Sequence, residues 1–276
     1  MGMAAWIKSF IWLILLPLTL VAGDFEQDFA VVFIDQKTEA KYGNIPLPRV
    51  LTAEVIERLT EAKAKAVVLK FFYDQPKDEA GDARLEKAIR GIPVALQARL
   101  DDSEKKANAL PARFFIPEVK ATNAISGTNG WIPLKRFTDH AKAVGFVDFT
   151  ESPTPILETY LRKTVKSLIL CSLELALGEE AVIQPGQKVF IGNKSLALDE
   201  KNQRSYQLPK TDDLKYIPFH AVLDGSAPMK TLEGKVVIIG YHGPHIHTFD
   251  SPAGKLGAHQ AFVYALRSTY QQMKEK

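Results

Sequence analysis

A chain of 276 residues with 46% hydrophobic content is long enough for one large α/β body or two small ones. Thirty-five basic residues nearly cancel 32 acidic ones, leaving a formal charge of +3 and no concentrated basic face, which excludes a nucleic-acid partner. The single cysteine, Cys171, excludes an internal disulfide framework.

At the amino terminus Lys8 precedes "SFIWLILLPLTLVAG", an uncharged, mostly apolar run that ends in small residues. A spanning helix needs about 20 apolar residues, so this shorter run reads as an export signal cleaved after Gly23. Retention as a short membrane anchor is the alternative. Asp24 stands where a lipidated cysteine would have to be, so no lipoprotein is expected. The chain thus divides into a leader or anchor at 1–23 and one folded unit at 24–276, periplasmic or secreted.

"FAVVFID" (29–35) is a near-continuous apolar β-branched run, the mark of a strand covered on both faces. "PLPRVL" leads into a helix over 52–64, with Thr52 as N-cap and Val55, Ile56 and Leu59 on one face. "AKAVVLKFF" (64–72) is a second buried strand, Asp82 starts a short helix, and "IPVALQARL" is a third strand. This alternation argues for a mainly parallel, partly mixed sheet flanked by helices in three layers.

Residues 101–143 carry weaker signals: "LDDSEKKANALP" is a solvated segment, "RFFIP" a short strand and "SGTNGW" a loop. "VGFVDF" (144–149) is a strand, and "PILETYLRKT" reads as strand because Pro153 and Pro155 discourage a helix. An apolar helix over 167–177 holds Cys171 as an inert small hydrophobe. "KVFIGNKSLALD" is a hairpin turning at Gly192 and Asn193. A short helix in "YIPFHAVLDG" ends at Gly225, "GKVVIIGY" (234–241) is the last buried strand, and "HQAFVYALRSTYQQMKEK" is the final helix.

Several of these segments, in this order and spacing, resemble the type-two CHASE family of extracytoplasmic sensor domains. They are a strand ending in Asp35, the Pro46–Pro48–Arg49 step, and a helix and strand ending in an aromatic pair. The Asp82 helix, "LEGKVVIIG", and "FDSPAG" followed by Gly257 complete the set. The resemblance spans residues 29–268 and implies an extracytoplasmic ligand-sensing fold. The chain departs from the family's pattern at Lys70, where an aspartate usually stands, and at "TESPTP", which replaces an acidic turn. The family's usual transmembrane helices and output domain are not expected in a chain ending at Lys276.

Chemistry concentrates in "YHGPHIHTFDSP" (241–252), beyond a strand's carboxyl end, where ligands of open α/β sheets bind. His242, His245, His247 and Asp250 are suited to a divalent metal, to a pH-responsive cluster, or to a plain polar loop. Asp35 and Asp74 suit Mg²⁺ in a shared crevice, while Asp35 also suits a helix cap or a tie to Arg49. Arg49 can pin an anionic ligand by bidentate pairing. His220 reads as a satisfied, partly buried histidine, Trp131 as a packing residue, and His140 carries no assigned role.

The ligand-site candidates are therefore Asp35, Arg49, Asp74, His242 and Asp250. The expected function is that of an exported, non-enzymatic sensor-like domain without a cofactor. It would bind a small ligand or partner protein and act through a membrane-bound kinase or cyclase, or an envelope protein. The alternative is a metal-dependent hydrolase built on His242, His245, His247 and Asp250.

Overall fold

The computed structural model describes residues 25–103, 107–148 and 152–275. The leader or anchor assigned to 1–23, the middle of the charged run and Phe149 of the 144–149 strand lie outside the described residues.

Strand β1 (Phe29–Asp35) ends at Asp35, which caps a helix that the sequence reading lacks, α1 (Gln36–Tyr42), by taking the Thr38 N–H at 2.8 Å. Helix α2 (Arg49–Glu61) starts directly after Pro48, so Thr52 is a buried residue of its first turn and not its N-cap. The fixed φ of Pro48 holds the chain extended up to the helix, and burial of Arg49 draws the first turn inward. Strand β2 (Ala66–Leu69) leads to α3 (Glu79–Gly91). Asp78, not Asp82, caps α3 through the Gly81 N–H at 2.7 Å, and Asp82 is buried inside the helix.

Strands β3 (Val94–Leu100) and β4 (Ala143–Phe146) follow. "PILETYLRKT" is strand as expected: β5 (Leu157–Tyr160) and β6 (Lys163–Lys166) form an antiparallel hairpin. Ser167 caps α4 (Leu168–Leu177). The hairpin of β7 (Lys188–Ile191) and β8 (Lys194–Ala197) also forms, with Gly192 alone supplying the positive φ, +59°. Helix α5 (Phe219–Leu223) precedes β9 (Val236–His242), which runs past Gly240 and makes His242 a strand residue. The last helix is α6 (Ala258–Gln271).

The central sheet has the parallel order Ile217–Pro218, β1, β9, β2, β3, β4, and Gly130–Trp131 pairs antiparallel with the end of β3. It is mainly parallel and partly mixed. Side chains alternate along each strand, so Val32 and Ile34 enter one core while Val31 and Phe33 enter the other. Helices α2, α3 and α5 cover the first face; α4 and α6 cover the second. This is the three-layer α/β domain expected, and it explains why the inner strands lack a polar face.

Each fully buried Phe, Leu or Ile contributes about 1.5–3 kcal/mol, and the sheet carries such residues on both sides. At the amino end of β1, Phe25 stacks on Phe29, and Tyr270 of α6 meets both rings edge-on. The Tyr270 hydroxyl donates to Asp28.

Candidate functional site

Parallel register sets where the loops emerge. Asp35 lies beside His242, Leu69 beside Ile239 and Leu96, and Ala98 beside Phe146. The segments after β1, β2, β3, β4 and β9 therefore leave at one carboxyl rim, where open α/β sheets bind ligands. The turns after Asp35 and Gly240 share an end of the molecule, as expected.

On the α1 side of this rim Asp35 acts as a cap. Thr38 gives it both its N–H and its hydroxyl proton, the latter at 2.7 Å. With that proton committed, His220 Nδ1–H is the donor in its 3.1 Å contact with Thr38 Oγ1. His220 Nδ1 also lies 3.6 Å from Asp35, so His220 is the satisfied, half-buried histidine expected. Next along α1, Glu39 takes the Tyr241 hydroxyl at 3.0 Å, and that hydroxyl accepts the His245 N–H at 3.2 Å. Gly243 is required here: a Cβ would fall 2.3 Å from the Tyr241 oxygen.

The histidine segment is tied down by its backbone, and its rings separate. His242 shares the strand parity of Gly240 and Ile238, so its ring turns to the second face, against Phe33 and Tyr216. His245 is exposed, and His247 meets the edge of Phe249 at 4.8 Å. Asp250 lies exposed in a hairpin of Thr248–Ser251 with Gly254–Gly257. Among the described residues no three His, Cys, Asp or Glu side chains converge as a metal-holding group.

Arg49 does not tie to Asp35. It forms a buried ion pair with Asp82, donates to the Gln75 carbonyl, and stacks over Tyr73 and Phe137. The helix that begins at Arg49 points it toward α3, where Asp82 is buried. Asp74 accepts from the Gln75 side chain at 3.0 Å, and its carbonyl takes Asn108 at 2.8 Å beside Trp131. It thus lies on the β3 side of the rim, whereas Asp35 lies on β1. Trp131 packs against Phe72 and Arg99 and donates to Asp101.

Beneath the rim, on the second face, is a buried ionisable cluster absent from the sequence reading. The parity that buries Ala66 and Val68 there also sends Lys70 inward, and the parity of Ala95 does the same for Gln97. Lys70 Nζ donates to Gln97 Oε1 and lies 5.1 Å from the Phe262 ring. Burial pulls its ammonium down to about 7 against the attraction of Asp148. Asp148 takes the Leu100 N–H at 2.8 Å and lies 3.8 Å from Arg99.

Strand β5 brings Glu158 to Asp148 with no exposure to solvent. Burial, then the neighbouring Asp148, pushes the Glu158 carboxyl well above its ordinary range. Both Glu158 carboxyl oxygens are buried without a hydrogen-bond partner among the described residues, and burial raises the Asp148 carboxyl as well. His259, at the start of α6, accepts the Tyr241 N–H at 2.9 Å through Nδ1 and meets Phe71 edge-on. Burial, reinforced by Lys70, holds its imidazole neutral, well below 6.5.

The model of the CHASE2 domain family matches residues 9–272. The chain belongs to the CHASE2 domain family. Its members are extracytoplasmic sensor domains of signal transduction. Neither a curated protein nor a solved structure matches the chain. In this CHASE2 domain the departure at Lys70 is a buried hub, not a gap in the rim. No described helix is long and apolar enough to cross a membrane.

Cys171 of this CHASE2 domain is fully buried, and burial pushes its thiol far above the usual range. It is the inert hydrophobe expected. The buried polar residues beneath the rim that sequence reasoning did not single out are Gln97, Asp148, Glu158 and His259. One signal pointed toward them: Lys70 is a charge set inside an otherwise apolar strand run.

Proposed function

We propose that the chain is an exported, non-enzymatic sensor-like domain that binds a small ligand or a partner protein at the carboxyl rim. Its state is read by another chain: a membrane-bound kinase or cyclase, or an envelope protein. The observation that supports this reading is the pair Lys70–Gln97 and Asp148–Glu158 buried beneath the rim. Such groups cost stability, so they suit a module that responds to occupancy or charge at the rim. Asp35, His242 and Asp250 belong to the rim above them, and Asp74 lies on its β3 side; Arg49 is buried against Asp82.

The test is a screen of the full chain for saturable thermal stabilisation by small anions, cations and polyols, with a parallel panel of phosphate and ester substrates. Stabilisation that disappears in His242→Ala or Asp35→Asn, without turnover, supports the sensor reading. Steady hydrolysis that depends on His245 and His247 overturns it in favour of a metal-dependent hydrolase.

A further inference from the structure

A large cleft lies at the amino ends of the sheet strands, opposite the rim. It encloses about 540 Å³ between the amino ends of β2, β3 and β4, the start of the Phe115–Ile116 strand and the end of α4. That volume lies within the roughly 300–1,000 Å³ of small-molecule sites. Phe114, Phe115, Ile116, Val144, Leu175 and Ile183 give it apolar walls.

Its charges are unequally matched. Lys166 is paired with Glu174 at 2.6 Å, and Glu174 also takes the Ala181 N–H at 2.7 Å. Lys65 donates to the Ala176 carbonyl and Arg113 to the Thr138 carbonyl, so neither meets a carboxylate. The Lys142 side chain makes no hydrogen bond or ion pair among the described residues, and it is exposed. Lys142 without a partner, and Lys65 and Arg113 with only carbonyl hydrogen bonds, thus border an apolar floor. Glu179 and Glu180 also line the cleft, both exposed to solvent.

We propose that this cleft binds an amphiphilic organic anion, its apolar body against Phe115, Ile116 and Ile183 and its charged head among Lys142, Arg113 and Lys65. The geometry favours an anion because the cations retain free donors, while the one central acid, Glu174, is already satisfied. The assignment is independent of binding at the carboxyl rim, from which the cleft is separated by the length of the strands.

Equilibrium dialysis of labelled octanoate against the full chain in phospholipid nanodiscs, with empty nanodiscs subtracted, tests it. The expected result is one saturable equivalent, with octanol bound at least about tenfold more weakly. Lys142→Glu weakens octanoate about tenfold or more, and Ile183→Glu weakens it likewise. Lys255→Glu, the same charge change on the rim hairpin, leaves it unchanged. Absence of saturable octanoate binding overturns the proposal. Equal binding of octanol, or equal behaviour of Lys142→Glu and Lys255→Glu, overturns it too.

Discussion

The Tyr241 phenol donates to Glu39 Oε2 at 3.0 Å, joining the last buried strand to the helix that follows the first. The same oxygen accepts the His245 N–H, so one hydroxyl fixes both α1 and the backbone of the histidine segment. Tyr241→Phe keeps the buried ring and deletes that joint. The expected loss is about 1–3 kcal/mol, because Glu39 and the His245 N–H lose a partner. Faster amide exchange confined to residues 243–247, with β9 still protected, is the accompanying signature. Unchanged exchange there shows that the hydroxyl does not hold the segment.

Arg49 and Asp82 form a buried pair, and its removal from one side leaves a charge without compensation. Arg49→Ala is expected to cost about 3–5 kcal/mol in denaturant unfolding. Arg49→Ala combined with Asp82→Ala costs less than the sum of the two, since the stranded carboxylate is gone. Strict additivity excludes direct coupling of the pair.

The buried cluster gives stability two opposing dependences on pH. Folded Glu158 keeps its proton above the ordinary carboxyl value of 4.5, so the folded state holds the extra proton there and stability falls as pH rises through that window. Folded Lys70 releases its proton near 7, whereas the unfolded ammonium keeps it to 10.5, so stability rises with pH between those values. Glu158→Gln is expected to lessen the fall above pH 4.5. Lys70→Met is expected to flatten the rise above pH 7, by an amount on the order of 2–4 kcal/mol across the window. Chemical denaturation from pH 4 to pH 10 reads both slopes, and parallel curves for variant and parent contradict the assignment.

The rings of His242, His245 and His247 face different neighbours, so the segment is expected to hold no stoichiometric metal. Elemental analysis of untagged protein checks this directly. One equivalent of zinc or nickel, lost in His245→Ala/His247→Ala, shows that the segment reorganises around an ion.

The frame of the domain was legible in the sequence where one rule acted alone. "FAVVFID" and "GKVVIIGY" read as buried strands because helix layers cover both their faces, and Pro153 and Pro155 tipped the weakly alternating "PILETYLRKT" to strand. Boundaries failed where a capping residue type lies inside the helix. Thr52 and Asp82 have the chemistry of an N-cap, but the helices begin earlier, after Pro48 and Asp78. Helix α1 escaped notice because few apolar residues mark it.

The site was only half legible. Strand ends placed Asp35 and the histidine segment at one rim, since that follows from parallel order alone. The Asp148–Glu158 approach depends on the β5–β6 hairpin folding back against β4, and nothing local in "ILETY" reports it. Arg49 was noticed for its charge, but its partner 33 residues away follows only from how α2 and α3 pack.

Helix α6 is a stiff rod fastened at both ends. Its final turn is clasped by Phe25, Phe29 and Asp28, and its second residue, His259, grips the main chain of Tyr241. Fourteen residues long, it spans about 21 Å. Displacing Phe25 therefore disturbs the same helix whose other end holds the Tyr241 main chain, so the packing at the amino end of β1 and the backbone after β9 share one support.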